Sequence, residues 1–237
     1  MNIIDVVIPT YGRPEKLRRA LASVHTSLQL CRDRIEVHVF YSDEKEYDEA
    51  KKDLKFKWLD HWMLPPRLDF RATHFWNHYL KTMYADALVY LTDDILLDQY
   101  CLLIAVEEIR KMSFDGVVGF NIDNRVEEKQ PCLAAFGVIG AKFADRFPSR
   151  AAFCPDYYSL FADVELQAYA EEVKCFKFHE ACRLVHFHPD YEQGSMDLTH
   201  LHTRRRVHKE TDIYLRRRDA GLVWGKSFKR INEEDVK

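Results

Sequence analysis

The sequence predicts a three-layer α/β/α domain with a largely parallel central sheet. The prediction depends on two observations: short apolar runs typical of strands buried on both faces, and helical apolar repeats that lie between them. The first run covers residues 3–8 and is broken by the segment 9–14. Pro14 suits the first position of a helix, whose apolar face then consists of Leu17, Leu21, Val24 and Leu28.

The same alternation continues along the chain. Strands are predicted over residues 35–41, 87–91 and 116–121, and the intervening helices end near residues 54, 84 and 112. The second half is less regular, with strands predicted over residues 133–139, 175–178 and 183–188, a helix over 161–172 and a loop over 190–203. Because strands alternate with helices, ligands are expected beyond the carboxyl ends of the strands.

The composition suits a folded domain. The chain has 237 residues, of which 47% are hydrophobic, enough for one domain or for one domain with a C-terminal extension. Its six cysteines form no Cys-x-x-Cys pair, so they are expected to be reduced and the compartment is expected to be the cytoplasm. No apolar run approaches the roughly 20 residues that cross a bilayer, so no transmembrane segment is predicted.

The most informative segment is an apolar run that meets two adjacent carboxylates, Asp93 and Asp94. Thr10 and Asp43 follow two other predicted strands, so all four side chains are expected at one edge of the sheet. Carboxylate oxygens are ligands for hard divalent cations, which indicates a cation bound against a diphosphate. The alternative is a turn followed by a helix N-terminus that Asp98 caps.

Charge is distributed unevenly along the chain. The net charge is −3, yet residues 200–237 contain 11 Lys and Arg against 6 Asp and Glu. Two arginine triplets, residues 204–206 and 216–218, dominate this excess. A basic patch beside a metal–diphosphate site indicates an anionic ligand, and the alternative is a solvated helix face.

Four segments, taken in order, resemble the GT-A glycosyltransferases of family 2. They are the sequence 7–13 (Val-Ile-Pro-Thr-Tyr-Gly-Arg), Ser42-Asp43, Arg71 with Asn77 six residues later, and Thr92-Asp93-Asp94. The last two are similar to the spore-coat polysaccharide branch. The resemblance covers residues 3–190 and implies a Rossmann-like GT-A domain over residues 1–190. Its nucleotide-binding half would be 1–98 and its acceptor half 99–190, and residues 191–237 would form a basic C-terminal loop and helix extension.

The resemblance implies a role in donor binding for each matching residue. Thr10 and Asp43 would hold the nucleotide base, Arg71 would pair with the diphosphate, and Asp93 would contact ribose or the donor sugar. Asp94 would bind Mn²⁺ or Mg²⁺ between the two phosphates. The remaining donor-binding candidates are Pro9, Tyr11, Arg13, Asn77 and Thr92. The alternatives are a helix N-cap for Asp43 and a surface cation for Arg71.

Asp163 looks like the family's catalytic base, the carboxylate that removes the acceptor hydroxyl proton in an inverting transfer. Glu165, on the same predicted helix, is the second candidate, and the alternative for both is the acidic first turn that helices favour. His186 is similar to the late histidine of the metal shell, and His188 would point to the same side of a strand. The candidates for a basic or histidine group that closes over the diphosphate are His200, His202 and Arg204–Arg206.

The resemblance implies metal-dependent, inverting transfer of a sugar from a nucleoside diphosphate sugar, with UDP as the expected nucleotide. The acceptor would be a hydroxyl of a glycan, a small molecule or a modified nucleic acid. Three alternatives stay open. A DNA binder, or a transferase acting on modified DNA, would use the arginine triplets. A nucleotidyltransferase is disfavoured because Gly12 is the only glycine before Gly116, and an inactive GT-A fold is suggested by Thr92 and Ala162, which replace acidic positions of the family pattern.

Overall fold

The computed structural model describes residues 2–63, 72–122, 133–189 and 196–226, and it confirms the α/β architecture. The described strands are β1 (Ile3–Thr10), β2 (Arg34–Tyr41), β3 (Leu59–Met63), β4 (Ala87–Tyr90), β5 (Ile95–Leu97), β6 (Val117–Ile122), β7 (Gly137–Gly140) and β8 (Phe176–His186). The described helices are α1 (Pro14–Leu28), α2 (Glu44–Asp53), α3 (Ala72–Thr82), α4 (Cys101–Lys111), α5 (Ala141–Ala144), α6 (Ala162–Glu172) and α7 (Leu198–Asp219). Within these ranges, no helix has both the length and the apolar character that a bilayer crossing needs.

The strands form one mixed sheet in the order β3-β2-β1-β4-β7-β6-β8-β5. The first four strands in this order are parallel, as the alternation of strands and helices predicts. Farther along the sheet, β7 runs antiparallel to β4 and β6, and β5 runs antiparallel to β8. The carboxyl ends of β1, β2 and β4 therefore lie along one edge.

Helices cover both faces of the sheet, which gives three layers. Ile4, Val6 and Ile8 of β1 belong to a core shared with α1 and α4, whereas Val7 belongs to a core shared with α3, α5 and α6. Alternate residues of a strand point to opposite faces, so a strand buried on both sides is apolar nearly throughout. The five described cysteines are free thiols, and Cys132 lies outside the described residues.

Three local predictions were wrong. The strand predicted over residues 133–139 is β7, which begins four residues later, at Gly137, and ends at Gly140. The strands predicted over 175–178 and 183–188 are one strand, β8, because β6 pairs with both parts across a register shift. Of the loop predicted over 190–203, residues 190–195 lie outside the described residues, and the part from Leu198 is helix α7. Asp197 caps this helix by accepting the His200 N–H over 3.1 Å.

Candidate active site

Polar side chains meet where β1 and β4 end. The two strands are parallel neighbours, so Thr10 and Asp93 lie at the same edge. The Thr10 hydroxyl donates to Asp93 Oδ2 over 2.8 Å, and the Thr92 hydroxyl donates to Asp94 Oδ1 over 2.7 Å. Asp93 and Asp94 are 2% and 3% exposed. Carboxylates buried this deeply need a compensating charge.

Arg13 supplies that charge. Its Nη1 lies 2.9 Å from Asp93 Oδ1 and 3.1 Å from Asp94 Oδ2, and its Nη2 lies 2.7 Å from Asp197 Oδ1. The Arg13 side chain is 8% exposed. Asp197 also lies 2.8 Å from His200 Nδ1. One guanidinium therefore joins the loop after β1, the segment after β4 and the N-terminus of α7.

The pKa values within the cluster respond to these contacts. Burial lowers the pKa of Arg13, but the charges of Asp93 and Asp94 outweigh burial and raise this pKa above its ordinary value. Burial raises the pKa of Asp93 to about 6, against the opposing effect of Arg13. For Asp94, burial is outweighed by hydrogen bonds with His186 and His200, which hold its pKa well below the usual range. Asp94 is therefore an ionised carboxylate, the form that binds a cation.

Two imidazoles flank the Asp94 carboxylate. His186 Nε2 lies 3.4 Å from Oδ1, and His200 Nε2 lies 3.6 Å from Oδ2. The pairing of β5 with β8 places His186 opposite Ile95, and the Phe187 N–H donates to the Asp94 carbonyl over 2.8 Å. Asp94, His186 and His200 thus offer one carboxylate and two imidazole ligands at a position that already attracts a guanidinium. The two imidazoles approach different oxygens of Asp94, and among the described residues these three side chains do not bring one ligand atom each within 4.8 Å of the other two. The residue types suit a divalent cation, and binding one would require the side chains to move together.

Sequence reasoning missed the contribution of Glu46. This residue of α2 is 9% exposed, and its carboxylate accepts the backbone N–H of Gly12 over 2.7 Å and that of Arg13 over 3.3 Å. Gly12 has a φ of +64°, the left-handed region that glycine adopts without strain. The available signal was the spacing Asp43-x-x-Glu46, which is typical of a capping box. Here the glutamate binds the neighbouring loop and fixes the position of Arg13.

Asp43 lies beside this cluster. Its Oδ1 accepts the Glu46 N–H over 2.8 Å, which is the N-cap role given above as its alternative. Its exposed side chain also lines a cavity of about 310 Å³ between α1 and α2, with Gly12 and Arg18 on the α1 side. Contact between Asp43 and a nucleotide base stays a prediction.

The other donor-binding candidates are more dispersed. Pro9 is buried in β1, and Tyr11 is half-buried in the loop that follows. Asn77 is engaged with the backbone of Phe153, to which its amide donates over 2.7 Å and from which it accepts over 3.0 Å. Arg71 lies outside the described residues.

The histidine and arginine candidates near the C-terminus divide into two groups. His200 is in the cluster, whereas His202 and Arg204 are exposed on α7. The ring centroid of His188 lies 4.7 Å from that of His200. However, β8 ends at His186, so the strand alternation that predicted a common direction for both β8 histidines does not reach His188.

The arginine triplets partly serve the fold. The Arg206 guanidinium lies 3.4 Å from the ring centroid of Tyr158, and Arg217 Nη1 lies 2.7 Å from Asp156 Oδ2. Arg218 pairs with its neighbour Asp219. Because these arginines contact the protein itself, the structure favours the interpretation of α7 as a helix with one packed and one solvated face. It does not favour a continuous anion-binding surface.

The two candidate bases have different surroundings. Asp163 is half-buried in the first turn of α6. Glu165 is 4% exposed, and its carboxylate accepts the Tyr157 hydroxyl over 2.6 Å, the Trp224 N–H over 2.7 Å and two N–H groups of Arg217 over 2.7 and 2.9 Å. A carboxylate that accepts four hydrogen bonds has no lone pair directed at a substrate, so Asp163 remains the better candidate.

A comparison with protein-family models and curated proteins finds no match. Among solved structures, the fold matches the mannosyltransferase PcManGT from Pyrobaculum calidifontis in complex with GDP-Man and Mn²⁺, at a TM-score of 0.59 and 15% identity. It also matches TarS from S. aureus at a TM-score of 0.51 and 14% identity. The chain shares its fold with these proteins. The matches cover 77% and 76% of this chain but only 56% and 35% of the two neighbours.

The shared fold corresponds to the Rossmann-like domain that the sequence resemblance implies. At these sequence identities the similarity is one of fold alone. The fold indicates which edge of the sheet binds ligands, whereas the identity of the ligand has to be argued from the side chains. The ligand edge of such a sheet is the edge that carries Thr10, Asp93 and Asp94.

We expect Arg13→Lys to lower the free energy of unfolding by about 1.5–3 kcal/mol, because an ammonium cannot reproduce the fork that joins three carboxylates. Urea denaturation of the metal-free protein measures the change. Arg18→Lys is the matched control, since Arg18 lies on α1 with a side chain 46% exposed. Equal stability of the two variants would contradict the role given to Arg13.

Proposed function

We propose that this chain is a metal-dependent glycosyltransferase that moves a sugar from a nucleoside diphosphate sugar to an acceptor hydroxyl with inversion. The observation that carries the proposal is the buried Asp94 carboxylate at the ligand edge of the sheet, with His186 beside one of its oxygens and His200 beside the other. A fold shared with a mannosyltransferase that was solved with GDP-Man and Mn²⁺ supports it.

The proposal assigns donor binding to the cluster around Asp94. Asp94, His186 and His200 would hold Mn²⁺ or Mg²⁺, which would neutralise the diphosphate as the leaving group. A bound cation would compete with Arg13 for the Asp94 carboxylate, and the diphosphate would compete with the carboxylates for Arg13. The guanidinium is therefore expected to turn from Asp94 towards a phosphate oxygen. Thr10 and Asp93 would then contact the nucleoside or the sugar.

The proposal assigns proton transfer to Asp163. Its carboxylate takes the proton of the acceptor hydroxyl while the hydroxyl oxygen forms a bond to the anomeric carbon. The bond from that carbon to the phosphate oxygen breaks on the opposite face, and its electron pair leaves with the nucleoside diphosphate. The product has the inverted configuration because one displacement has occurred.

A thermal-shift panel of UDP-, GDP-, TDP- and CDP-sugars, each with and without Mn²⁺, tests donor binding. We expect one donor to raise the melting temperature in the presence of Mn²⁺, because a ligand that binds the native state alone stabilises it. We expect Asp94→Asn to lose the Mn²⁺-dependent part of that shift. Asp98→Asn, at an exposed carboxylate four residues later, is the matched control and should keep it.

Two results would contradict the proposal. One is a panel in which Mn²⁺ changes the response to none of the donors. The other is an Asp94→Asn protein that keeps the full Mn²⁺-dependent shift. A response to UDP-sugars would support the nucleotide expected from the sequence, and a response to another donor would replace it.

A further inference from the structure

We propose a second metal site, formed by Asp5, Glu36 and His38, that binds a borderline dication such as Zn²⁺. Asp5 of β1 lies opposite Glu36 of β2 in the sheet register, and His38 follows on the same side of β2. Asp5 precedes Thr10 by five residues on one strand, a separation of roughly 17 Å. The site is therefore distinct from the cluster around Asp94, and its existence does not depend on the proposed function.

The ligand atoms of the three residues converge. One ligand atom from each lies within 4.8 Å of the other two. His38 Nε2 lies 3.6 Å from Asp5 Oδ1 and 4.0 Å from Glu36 Oε2. Zinc bonds of 2.0–2.2 Å in a tetrahedral site place neighbouring ligand atoms about 3.3–3.5 Å apart. The Asp5–His38 distance is close to this spacing, and Glu36, whose side chain is 31% exposed, would move inward to complete three corners. Water would take the fourth corner.

Two of these atoms have unmet bonding needs. Asp5 and His38 are 4% and 3% exposed, and neither Asp5 Oδ1 nor His38 Nε2 has a hydrogen-bond partner among the described residues. Buried polar atoms without partners are rare and costly in folded proteins. These two face each other across a gap too long for a hydrogen bond, and a cation between them would satisfy both.

The remaining atom of each ligand is already held in place. The Tyr79 hydroxyl donates to Asp5 Oδ2 over 2.8 Å, and Arg34 pairs with Glu36 Oε1. Each carboxylate therefore keeps its second oxygen for a metal. Such outer contacts orient the ligands in known metal sites and contribute strongly to affinity.

Metal binding by His38 requires a change in which ring nitrogen carries the proton. Its Nδ1 accepts the indole N–H of Trp62 over 3.0 Å, which leaves the proton of the neutral ring on Nε2. Binding a metal at Nε2 moves that proton to Nδ1, and the exposed Asp60 carboxylate, whose Oδ2 lies 3.6 Å away, would move closer to accept a hydrogen bond from it. The Trp62 N–H must then turn to water, which is feasible because Trp62 is 47% exposed.

Cobalt binding in an Asp94→Asn background, which removes the proposed donor cation, tests this site. We expect one equivalent of Co²⁺ to give the visible absorption of a tetrahedral centre, and Zn²⁺ to displace it. We expect the same titration to change tryptophan fluorescence, and Trp62→Phe to abolish most of that change. His38→Gln should lose the absorption, whereas His208→Gln, at an exposed histidine of α7, should keep it.

Glu36→Gln provides a second variant, because the Glu36 side chain is 31% exposed and its loss leaves the core intact. We expect at least a tenfold loss of Co²⁺ affinity in this variant, with circular dichroism confirming the fold of every variant. The proposal is overturned if the background protein binds no Co²⁺ with tetrahedral absorption. It is equally overturned if His38→Gln and Glu36→Gln bind Co²⁺ as the background does.

Discussion

Asp163→Asn is expected to lower the rate of sugar transfer by about 10²- to 10⁴-fold while donor affinity stays unchanged. An amide cannot accept the acceptor proton, yet it has nearly the shape of the carboxylate and preserves the first turn of α6. The measurement is the initial rate of transfer with the donor that the thermal-shift panel selects. The Mn²⁺-dependent thermal shift, recorded in parallel, reports donor binding.

The control for this variant is Glu172→Gln, which removes an exposed carboxylate from the other end of the same helix. It should transfer sugar at the parent rate. An Asp163→Asn protein with full activity would exclude Asp163 as the base. A variant that loses the donor-induced shift together with the rate would place Asp163 in donor binding instead.

The backbone just before Asp163 has an unusual conformation. Phe161, two residues earlier, has a φ of +66°, a left-handed conformation that costs energy for a residue with a bulky side chain. Its ring stacks on Tyr214 of α7, with the centroids 4.6 Å apart. Glu210, also on α7, accepts the backbone N–H groups of residues 158–160 over 3.0, 2.9 and 2.7 Å. The loop before Asp163 is therefore shaped by α7.

The same helix reaches the cluster around Asp94. His200 and Glu210 are ten residues apart on α7, which corresponds to about 15 Å along the helix axis. One rigid element thus contacts Asp94 near its N-terminus and the loop before Asp163 farther along. This connection explains how a residue of the second half of the chain can be positioned relative to a site built by the first half.

The sequence was most informative where local rules decide the structure. The apolar runs predicted β1, β2 and β4. Because ligands bind beyond the carboxyl ends of parallel strands, Thr10 and Asp93 were predicted to lie at one edge of the sheet, and they do. The family resemblance indicated that His186 lies beside Asp94, and the two side chains are 3.4 Å apart. By contrast, β3 was missed because its residues alternate in burial between polar and apolar side chains, and β5 was missed because it has only three residues.

Residues placed by long-range packing were harder to predict. Asp197 was not predicted, and His200 was one of several equal candidates. Both lie on or beside α7, which packs against α6, and no periodicity in a helix as polar as α7 indicates that contact. Glu46 accepts a hydrogen bond from a loop that lies more than thirty residues earlier in the sequence. Its role follows from the adjacency of the N-termini of α1 and α2, which depends on the completed sheet.

The contact between α6 and α7 centres on Glu165, and Glu165→Ala is expected to lower the free energy of unfolding by about 3–5 kcal/mol. The variant would leave the Arg217 guanidinium, with a side chain 15% exposed, without its main buried partner. It would also leave the fully buried Tyr157 hydroxyl and the Trp224 N–H without an acceptor. Urea denaturation measures the loss, and Glu171→Ala, at an exposed position of α6, is the control.

The double variant Glu165→Leu with Arg217→Met separates the ion pair from the contact itself. We expect it to recover part of the loss, because apolar side chains of similar size can replace a buried ion pair, whereas one unpaired charge is strongly destabilising. If Glu165→Ala is as stable as the Glu171→Ala control, the contacts of Glu165 do not hold α7 against α6. The proposed link between the cluster around Asp94 and the loop before Asp163 would then lose its physical basis.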